Sequence, residues 1–541
     1  MLYTRVVKNK AKKHFQSQEV KPPQQVALKS LKDIINFYRL NWTILLLIAV
    51  VTTITYANGL GGQFLSADDI PGIVQNPKIR QFGEVVTTLN IVSIYTSVVF
   101  IIFNGSPVAF HMGTLVFHIL NTYLVLLLAY QLFGKRVALY ACLIFCLLPS
   151  GSEAVFWIAG MGYVFQAFFS LLCINLYLLF RSTKNWRFLV ASTLIYAFAL
   201  IFLQTPWMLT VPFIIVALDL FVAYPLPCRP NPVSELKARG YYLVYFFSAG
   251  AFWAILMKGA FAHRATALVT DYYFNPAEST ALLKRAPYTI YKAVELYIFP
   301  WRLSFFHEEA LTPTVYALMV AATITIISII AYLLFKKSKY DGLLLVILAS
   351  ILPTLSPVQV AWFMAERYLY LGGAFFAMLV SLFLIKVDHK YTVKNLADYI
   401  LVALLLFYSV RLVTRAGDFR TSKTLWLATQ KTAPTSYRVY NNLGDVYSSE
   451  QDWDMAVASF KESIALAPNY ADAIHNLGFT YMLMGDYENA KKYLLESYQK
   501  NGRLYQALEK LGQIELKQGN TEKAQEYFEE VRRVNAGFVS P

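Results

Sequence analysis

The chain has 541 residues, 57% of them hydrophobic and only 15% charged, with a formal net charge of +15. A soluble protein of this size carries roughly a quarter charged residues, so most of this chain is expected to lie in a bilayer. The excess of Lys and Arg has an ordinary source in cytoplasmic turns that obey the positive-inside rule, and nucleic-acid binding is set aside.

Residues 1–37 form a basic cytoplasmic tail without the short apolar core and small-residue cleavage site of a signal peptide. The first apolar run, Trp42 to Ala57, is nearly long enough to cross a bilayer and reads as a retained signal anchor. Eleven spans are expected, at about 38–58, 107–133, 137–155, 162–180, 187–203, 206–224, 241–258, 313–335, 343–361, 367–386 and 396–413. With the N-terminus in the cytoplasm, five turns fall on the cytoplasmic side: Gly134-Lys135-Arg136, Arg181 to Arg187, Cys228 to Arg239, Lys336 to Lys339 and Lys386 to Lys390. Each of them is basic, which supports the count. The apolar stretches 85–104 and 286–300 are assigned to helices in the interface or packed on the bundle, because a span at either would reverse the basic turns. Cys142, Cys146, Cys173 and Cys228 lie in apolar runs or a cytoplasmic turn, so no disulfide framework is expected.

This orientation gathers a charged set on the outer face: Asp68, Asp69, Glu153, His263, Arg264, Asp271, Lys284, Arg285, Arg302, His307, Glu308, Glu309, Glu366 and Arg367. Any one of them reads most simply as a solvated loop charge. Cations on the outer side run against the topological rule, and together they suit a site that handles phosphate.

Beyond residue 415 a 34-residue period begins. Leu443-Gly444, Leu477-Gly478 and Leu511-Gly512 recur at that spacing, as do Ala456, Ala490 and Ala524, followed by Phe460, Leu494 and Phe528. This is the tetratricopeptide pattern: small residues let paired helices approach, and a large one fills the gap between them. The expected organisation is a membrane domain at 38–415, a linker helix at 416–436, and repeats at 437–470, 471–504 and 505–538 within a segment running to residue 541. The fold class is therefore all-α, a polytopic bundle followed by an α-solenoid. The array falls on the outer side, where its concave surface can take a protein or peptide; a rigid spacer is the plainer reading.

Asp68-Asp69 stands a few residues after the first span. In a nearly extended loop the two side chains would point to opposite sides, so one can be a general base while the other shapes the loop or orients an acceptor. Asp68 is favoured as the base. With the outer cations able to stabilise a leaving phosphate and the bundle able to offer an apolar groove, the outer face holds the parts of a group-transfer site.

Several segments carry a resemblance. They are Asp68-Asp69-Ile-Pro-Gly-Ile73-Val-Gln-Asn76-Pro77, Pro107-Val-Ala-Phe-His111 with His118, Phe299-Pro300-Trp-Arg-Leu303-Ser304, and Ala365-Glu366-Arg367-Tyr-Leu-Tyr370-Leu371. In order, and followed by the repeats, they resemble the GT-C superfamily of polyprenyl-phosphate-dependent glycosyltransferases, most nearly the TMTC-type protein O-mannosyltransferases and their bacterial relatives. The resemblance implies that Asp68-Asp69 belongs to the catalytic loop and that Glu366-Arg367 faces the donor phosphate; from the outer charged set, Arg264, Lys284, Arg285 and Arg302 are further phosphate-binding candidates. Asn76, His111, Glu153, His307 and Glu308 are the other site candidates. It also implies a lipid-linked sugar donor and a protein Ser or Thr hydroxyl as acceptor. No metal site is assigned, although Glu308, Glu309 and His307 can be imagined around a divalent cation. The chain departs from the family where Leu148-Pro149-Ser-Gly-Ser152-Glu153 keeps the Glu without the usual histidines, and where Gly160-Met161-Gly162-Tyr163 and Gln204-Thr205-Pro206 lack the family's charges.

The expected setting is a bacterial inner membrane with a periplasmic array, or an endoplasmic reticulum membrane. A non-catalytic membrane scaffold carrying a tetratricopeptide array is the alternative. A transporter is disfavoured by the scarcity of mid-span charges.

Overall fold

The computed structural model describes residues 28–223, 240–257, 282–307, 312–336, 339–355, 364–391 and 393–535. The described residues form helices and turns and no strand. Among the described residues, eight helices are long and apolar enough to cross a membrane: Trp42–Gly59, Pro107–Phe133, Ile158–Thr183, Trp186–Leu203, Pro206–Ala223, Pro313–Leu333, Glu366–Asp388 and Leu396–Asp418. A ninth crossing is broken, with Lys135–Leu147 and Pro149–Phe156 meeting at 54°. The bend falls where Pro149 forces Leu148 into an extended conformation with ψ of 113°. The eleven expected spans thus become eight, or nine with the bent pair, among the described residues. The other two coincide with shorter helices, Gly240–Ile255 and Lys339–Ser350. The segments set aside as interfacial form Phe82–Thr87 with Ile91–Ile102, and Leu282–Ile298, none of them long and apolar enough to span.

Hydrogen bonds sort the turns by end. At one end the Ser182 hydroxyl donates to the Leu28 carbonyl at 3.2 Å, and Arg136 pairs with Asp388 at 2.7 Å and lies 3.6 Å from Asp398. The first bond joins the start of the described chain to the turn around 182, and the second pair joins the turns around 135 and 388; the positive-inside reading placed all of these on one side. The opposite end holds the loop after the first span.

The last span ends at Asp418, and helices from Ser422 onward stack in antiparallel pairs. The repeat helices are Tyr437–Ser449 with Trp453–Leu466, Ala471–Met484 with Tyr487–Lys500, and Tyr505–Lys517 with Thr521–Val534. The bundle core runs without a break through Phe419, Leu425 and Trp426 into Leu443, Phe460 and Leu477. A methyl group on Gly444 would stand 2.6 Å from the Phe460 ring. Gly444→Ala is therefore expected to destabilise the first repeat by about 1–3 kcal/mol through overpacking. The check is faster hydrogen exchange across residues 437–466 with residues 505–534 unaffected.

Candidate functional site

The loop after the first span is built by close approach. Gly59 lies against the Phe156 ring, where a Cβ would be 2.4 Å away, and Gly62 lies beside the buried His111 imidazole. Its strand-like part is tied to the far end of the chain. The Gln63 N–H donates to the Arg420 carbonyl at 3.0 Å, the Ser66 N–H donates to the Ser422 hydroxyl at 2.8 Å, and the Trp426 indole N–H donates to the Ser66 hydroxyl at 3.0 Å.

Asp68 and Asp69 do not lie in an extended loop. They sit in a turn that enters the short helix Ile70–Val74, with Asp69 at φ −68° and ψ −43°. Successive helical side chains diverge by about 100°, so the pair is still split. The Asp68 side is exposed, whereas Asp69 is 0% exposed. The Asp69 carboxylate accepts from the Leu65 N–H at 2.9 Å and the Ala159 N–H at 2.8 Å. Burial pushes its carboxyl up from 3.8 to about 7, against the pull of those two donors and with a further push from Asp68.

Folding takes up a proton on Asp69 between about pH 4 and pH 7, so the loop is held most firmly below the unfolded value and loosens as pH rises through about 7. Hydrogen exchange of residues 62–69, corrected for its intrinsic pH dependence, is expected to speed up roughly tenfold or more from pH 5.5 to pH 8. Asp69→Asn should remove that dependence; a flat profile in the parent chain would refute it.

Ala159 joins this loop to a second group. Two residues earlier, Trp157 lies under the Arg367 guanidinium at 5.0 Å, and Tyr368, Phe305 and Tyr163 surround it at 5.1, 5.9 and 6.0 Å. The guanidinium is paired with the Glu153 carboxylate, which also accepts from the Arg367 N–H at 3.0 Å. Tyr163 stands where the family resemblance would place a carboxylate, and Trp207, just after Gln204-Thr205-Pro206, packs on Tyr368 and Tyr163. Aromatic faces thus line the Arg367 guanidinium beside two segments that carry no charge.

Glu366 belongs to the same buried network. Its carboxylate accepts from Arg415 at 3.2 Å through both oxygens and from the Ser304 N–H, with the His307 Nε2 at 3.6 Å. Arg415 also reaches Asp418 at 3.0 Å, and Ser304 accepts from the Thr432 hydroxyl at 2.7 Å. Glu153, Glu366, Arg367, His307 and Arg415 are all buried. Arg367 and Glu366 are therefore adjacent in the chain but committed to different partners, and neither presents a bare charge to a ligand.

The remaining sequence candidates are placed as follows. Arg302 is exposed next to Leu303-Ser304, Arg285 is 4% exposed on the helix Leu282–Ile298, and Asn76 caps the turn at Pro77–Arg80 through the Lys78 N–H at 3.1 Å. His118 is a core residue between Tyr370, at 2.6 Å, and the Cys146 carbonyl, at 3.1 Å. Arg264, Glu308, Glu309, His263, Asp271 and the Lys284 side chain lie outside the described residues. Among the described residues no group of three or more His, Cys, Asp or Glu side chains is placed to hold a metal ion. Arg415, Asp418, Ser66 and Trp426 were not singled out by the sequence. The available signal was the pair Arg411 and Arg415, which continues an apolar helix instead of ending it.

The fold and this network define a class: an all-helical multi-span membrane bundle, closed at one end by a buried charge network and continued into a tetratricopeptide array. Tetratricopeptide repeat models match residues 444–485 and 469–536. The chain is 25% identical over 460 residues to the Protein O-mannosyl-transferase F38B6.6 of Caenorhabditis elegans, covering 79% of this chain and 63% of that protein. It is 31% identical over 119 residues to the Protein O-mannosyl-transferase tmtc2 of Xenopus laevis, covering 21% of this chain and 14% of that protein. The chain thus spans less than two thirds of the length of these relatives. Among solved structures, an archaeal oligosaccharyltransferase AglB from Archaeoglobus fulgidus, in complex with an inhibitory peptide and a dolichol-phosphate, is similar with a TM-score of 0.35 at 14% identity, covering 77% of this chain and 59% of that one. The resemblance to TMTC-type protein O-mannosyltransferases read from the sequence is borne out by the names of these relatives.

Proposed function

We propose that this chain is an inverting membrane glycosyltransferase that moves a sugar from a polyprenyl-phosphate donor to an acceptor hydroxyl, with protein Ser or Thr as the acceptor class. The observation that carries the reading is the 460-residue likeness to a protein O-mannosyl-transferase, since a match of that length must extend well beyond the repeats. Asp68, exposed on a loop fixed by Asp69, takes the proton of the acceptor hydroxyl. The acceptor oxygen then bonds to the anomeric carbon as the bond from that carbon to the phosphate oxygen breaks, and the lipid phosphate leaves. The exposed Arg302 supplies a cationic donor to the leaving group, and Arg367 joins it when the donor phosphate draws its guanidinium from Glu153. Arg264, Lys284 and Arg285 are further candidates for that role.

In the proposed orientation the N-terminus is cytoplasmic, and the site and the array face the periplasm or the endoplasmic reticulum lumen. The membrane domain is taken as 38–415 and the repeat segment as 437–541, whose groove brings a protein or peptide to the membrane surface.

The test is transfer of labelled mannose from polyprenyl-phosphate mannose to endogenous protein in membranes containing the chain, read by mass spectrometry of the glycopeptides. Label on Ser or Thr that depends on the chain supports the reading, and its absence with intact protein overturns it. One observation favours the scaffold reading: Arg367 and Arg415 are both neutralised by buried carboxylates. Under that reading the array recruits a partner and no transfer occurs.

A further inference from the structure

The helix Ser422–Thr432 lies one 34-residue period before Trp453–Leu466 and carries the same pattern. Ser422 precedes Ala456, Trp426 precedes Phe460, Thr429 precedes Ser463, and Ala433-Pro434 precedes Ala467-Pro468, each by 34 residues. The second helices of the three repeats end at Leu466, Lys500 and Val534, and this helix ends at Thr432, in the same register. The caps agree as well. The Ala433 N–H donates to the Thr429 carbonyl at 2.8 Å, the Ala467 N–H to Ser463 at 3.0 Å, and the Asn501 N–H to Ser497 at 2.9 Å. The helices that follow start at Tyr437, Ala471 and Tyr505.

What differs is the partner. In each complete repeat the large residue of the second helix packs on a glycine of the first: Phe460 on Gly444, Leu494 on Gly478, Phe528 on Gly512. The position 34 residues before Gly444 is Val410, which is 66% exposed on the outside of the last span. Trp426, only 1% exposed, instead meets the rings of Phe305 and Phe306 at 5.5 and 5.2 Å and donates to Ser66. Ser422, at the small-residue position, accepts from the Ser66 N–H, and Thr432 donates to Ser304. On its other side the helix is clamped to the first complete repeat, with Lys423 pairing with Glu450 at 2.6 Å and lying over the Tyr447 ring at 4.9 Å.

We infer that Ser422–Thr432 is the second helix of a fourth, truncated repeat, and that the loops around Ser66 and Phe305 occupy the place of its missing first helix. Trp426 is then a positioning residue for the Asp68 loop, and the array and that loop form one packed body. The link also explains how a binder in the array can reach the membrane site: it acts on a helix whose buried face is the site loop itself. The packing claim stands without any activity; its catalytic consequence rests on the transferase reading.

The test is hydrogen–deuterium exchange on the full chain in detergent. Trp426→Leu keeps a side chain that the second repeat uses at this position but removes the ring contacts and the indole donor. It is expected to speed exchange in residues 62–69 and 303–307 by tenfold or more, with residues 505–534 unchanged. Ser66→Ala, a milder change that removes one hydrogen bond, should give a smaller rise confined to the same loops. Phe528→Leu should loosen the third repeat and leave residues 62–69 untouched. Unchanged exchange of the loop in Trp426→Leu, or in Ser66→Ala should the first variant not fold, overturns the inference. If the parent chain transfers sugar, Trp426→Leu should lower kcat several-fold with the KM for donor and the pH profile unmoved, and Trp426→Phe should recover part of it. A parent chain without transfer would refute the transferase reading while the exchange result still decides this one.

Discussion

Replacing Asp68 with Asn is expected to lower sugar transfer by about 10²–10⁴-fold, the contribution of a positioned general base. The reason is geometric. Asp68 is exposed on the turn, whereas Asp69 is fully buried with its two oxygens taken by the N–H groups of Leu65 and Ala159. Asp69→Asn is a different experiment. The amide keeps one acceptor oxygen but turns an N–H₂ toward the second backbone donor, so the loop should lose about 1–3 kcal/mol and transfer should fall indirectly. The two variants therefore separate chemistry from architecture: in Asp68→Asn the rate falls far more than stability does, whereas in Asp69→Asn the two fall together. Transfer by Asp68→Asn at the parent rate would remove Asp68 from the mechanism. An absence of transfer in every form, with the loop intact, would favour the scaffold.

The second large effect lies in the buried network. Arg415→Met leaves Glu366 without the Nη2 donor that reaches both of its oxygens, at a position with no access to water, and removing one member of a buried pair typically costs about 3–5 kcal/mol. The thermal midpoint of the detergent-solubilised chain should drop accordingly. Glu366→Gln combined with Arg415→Met should recover most of that loss, because no buried charge is then left unpaired. If Arg415→Met unfolds at the parent temperature, Glu366 has found water or another cation and the closed network described above is wrong. Arg136→Ala at the other end of the bundle is the control. Its pair with Asp388 is partly exposed, and such pairs contribute about 1 kcal/mol or less.

The segments 160–163 and 204–206 lack charged residues, which from sequence alone leaves the site underpopulated. In three dimensions the same segments contribute or adjoin Tyr163 and Trp207, two rings of the surround of Arg367 and Tyr368. An Arg can be held by one carboxylate and a ring of π-faces as well as by a lattice of salt bridges. Arg367 is therefore supported without a charge from those segments.

The sequence by itself determined the parts whose information is local. Apolar runs of membrane length fixed eight of the spans, because backbone hydrogen bonds in lipid must be closed within a helix. A 34-residue period fixed the repeats, because each repeat packs only on its neighbours. That same period extended to Trp426 and Pro434, although only the packing of Trp426 on the Asp68 loop gives the extension a meaning. The tertiary structure alone decided the partners. Asp69 meets Ala159, Glu153 meets Arg367, and Ser66 meets Trp426, across 90, 214 and 360 residues of chain. A buried charge specifies that a partner must exist, through the cost of desolvation. It does not specify which partner, since that depends on which turns the bundle brings to one end. For the same reason Glu366 and Arg367, one motif in the sequence, became two ion pairs in the fold, and the exposed Asp68 was separated from the buried Asp69.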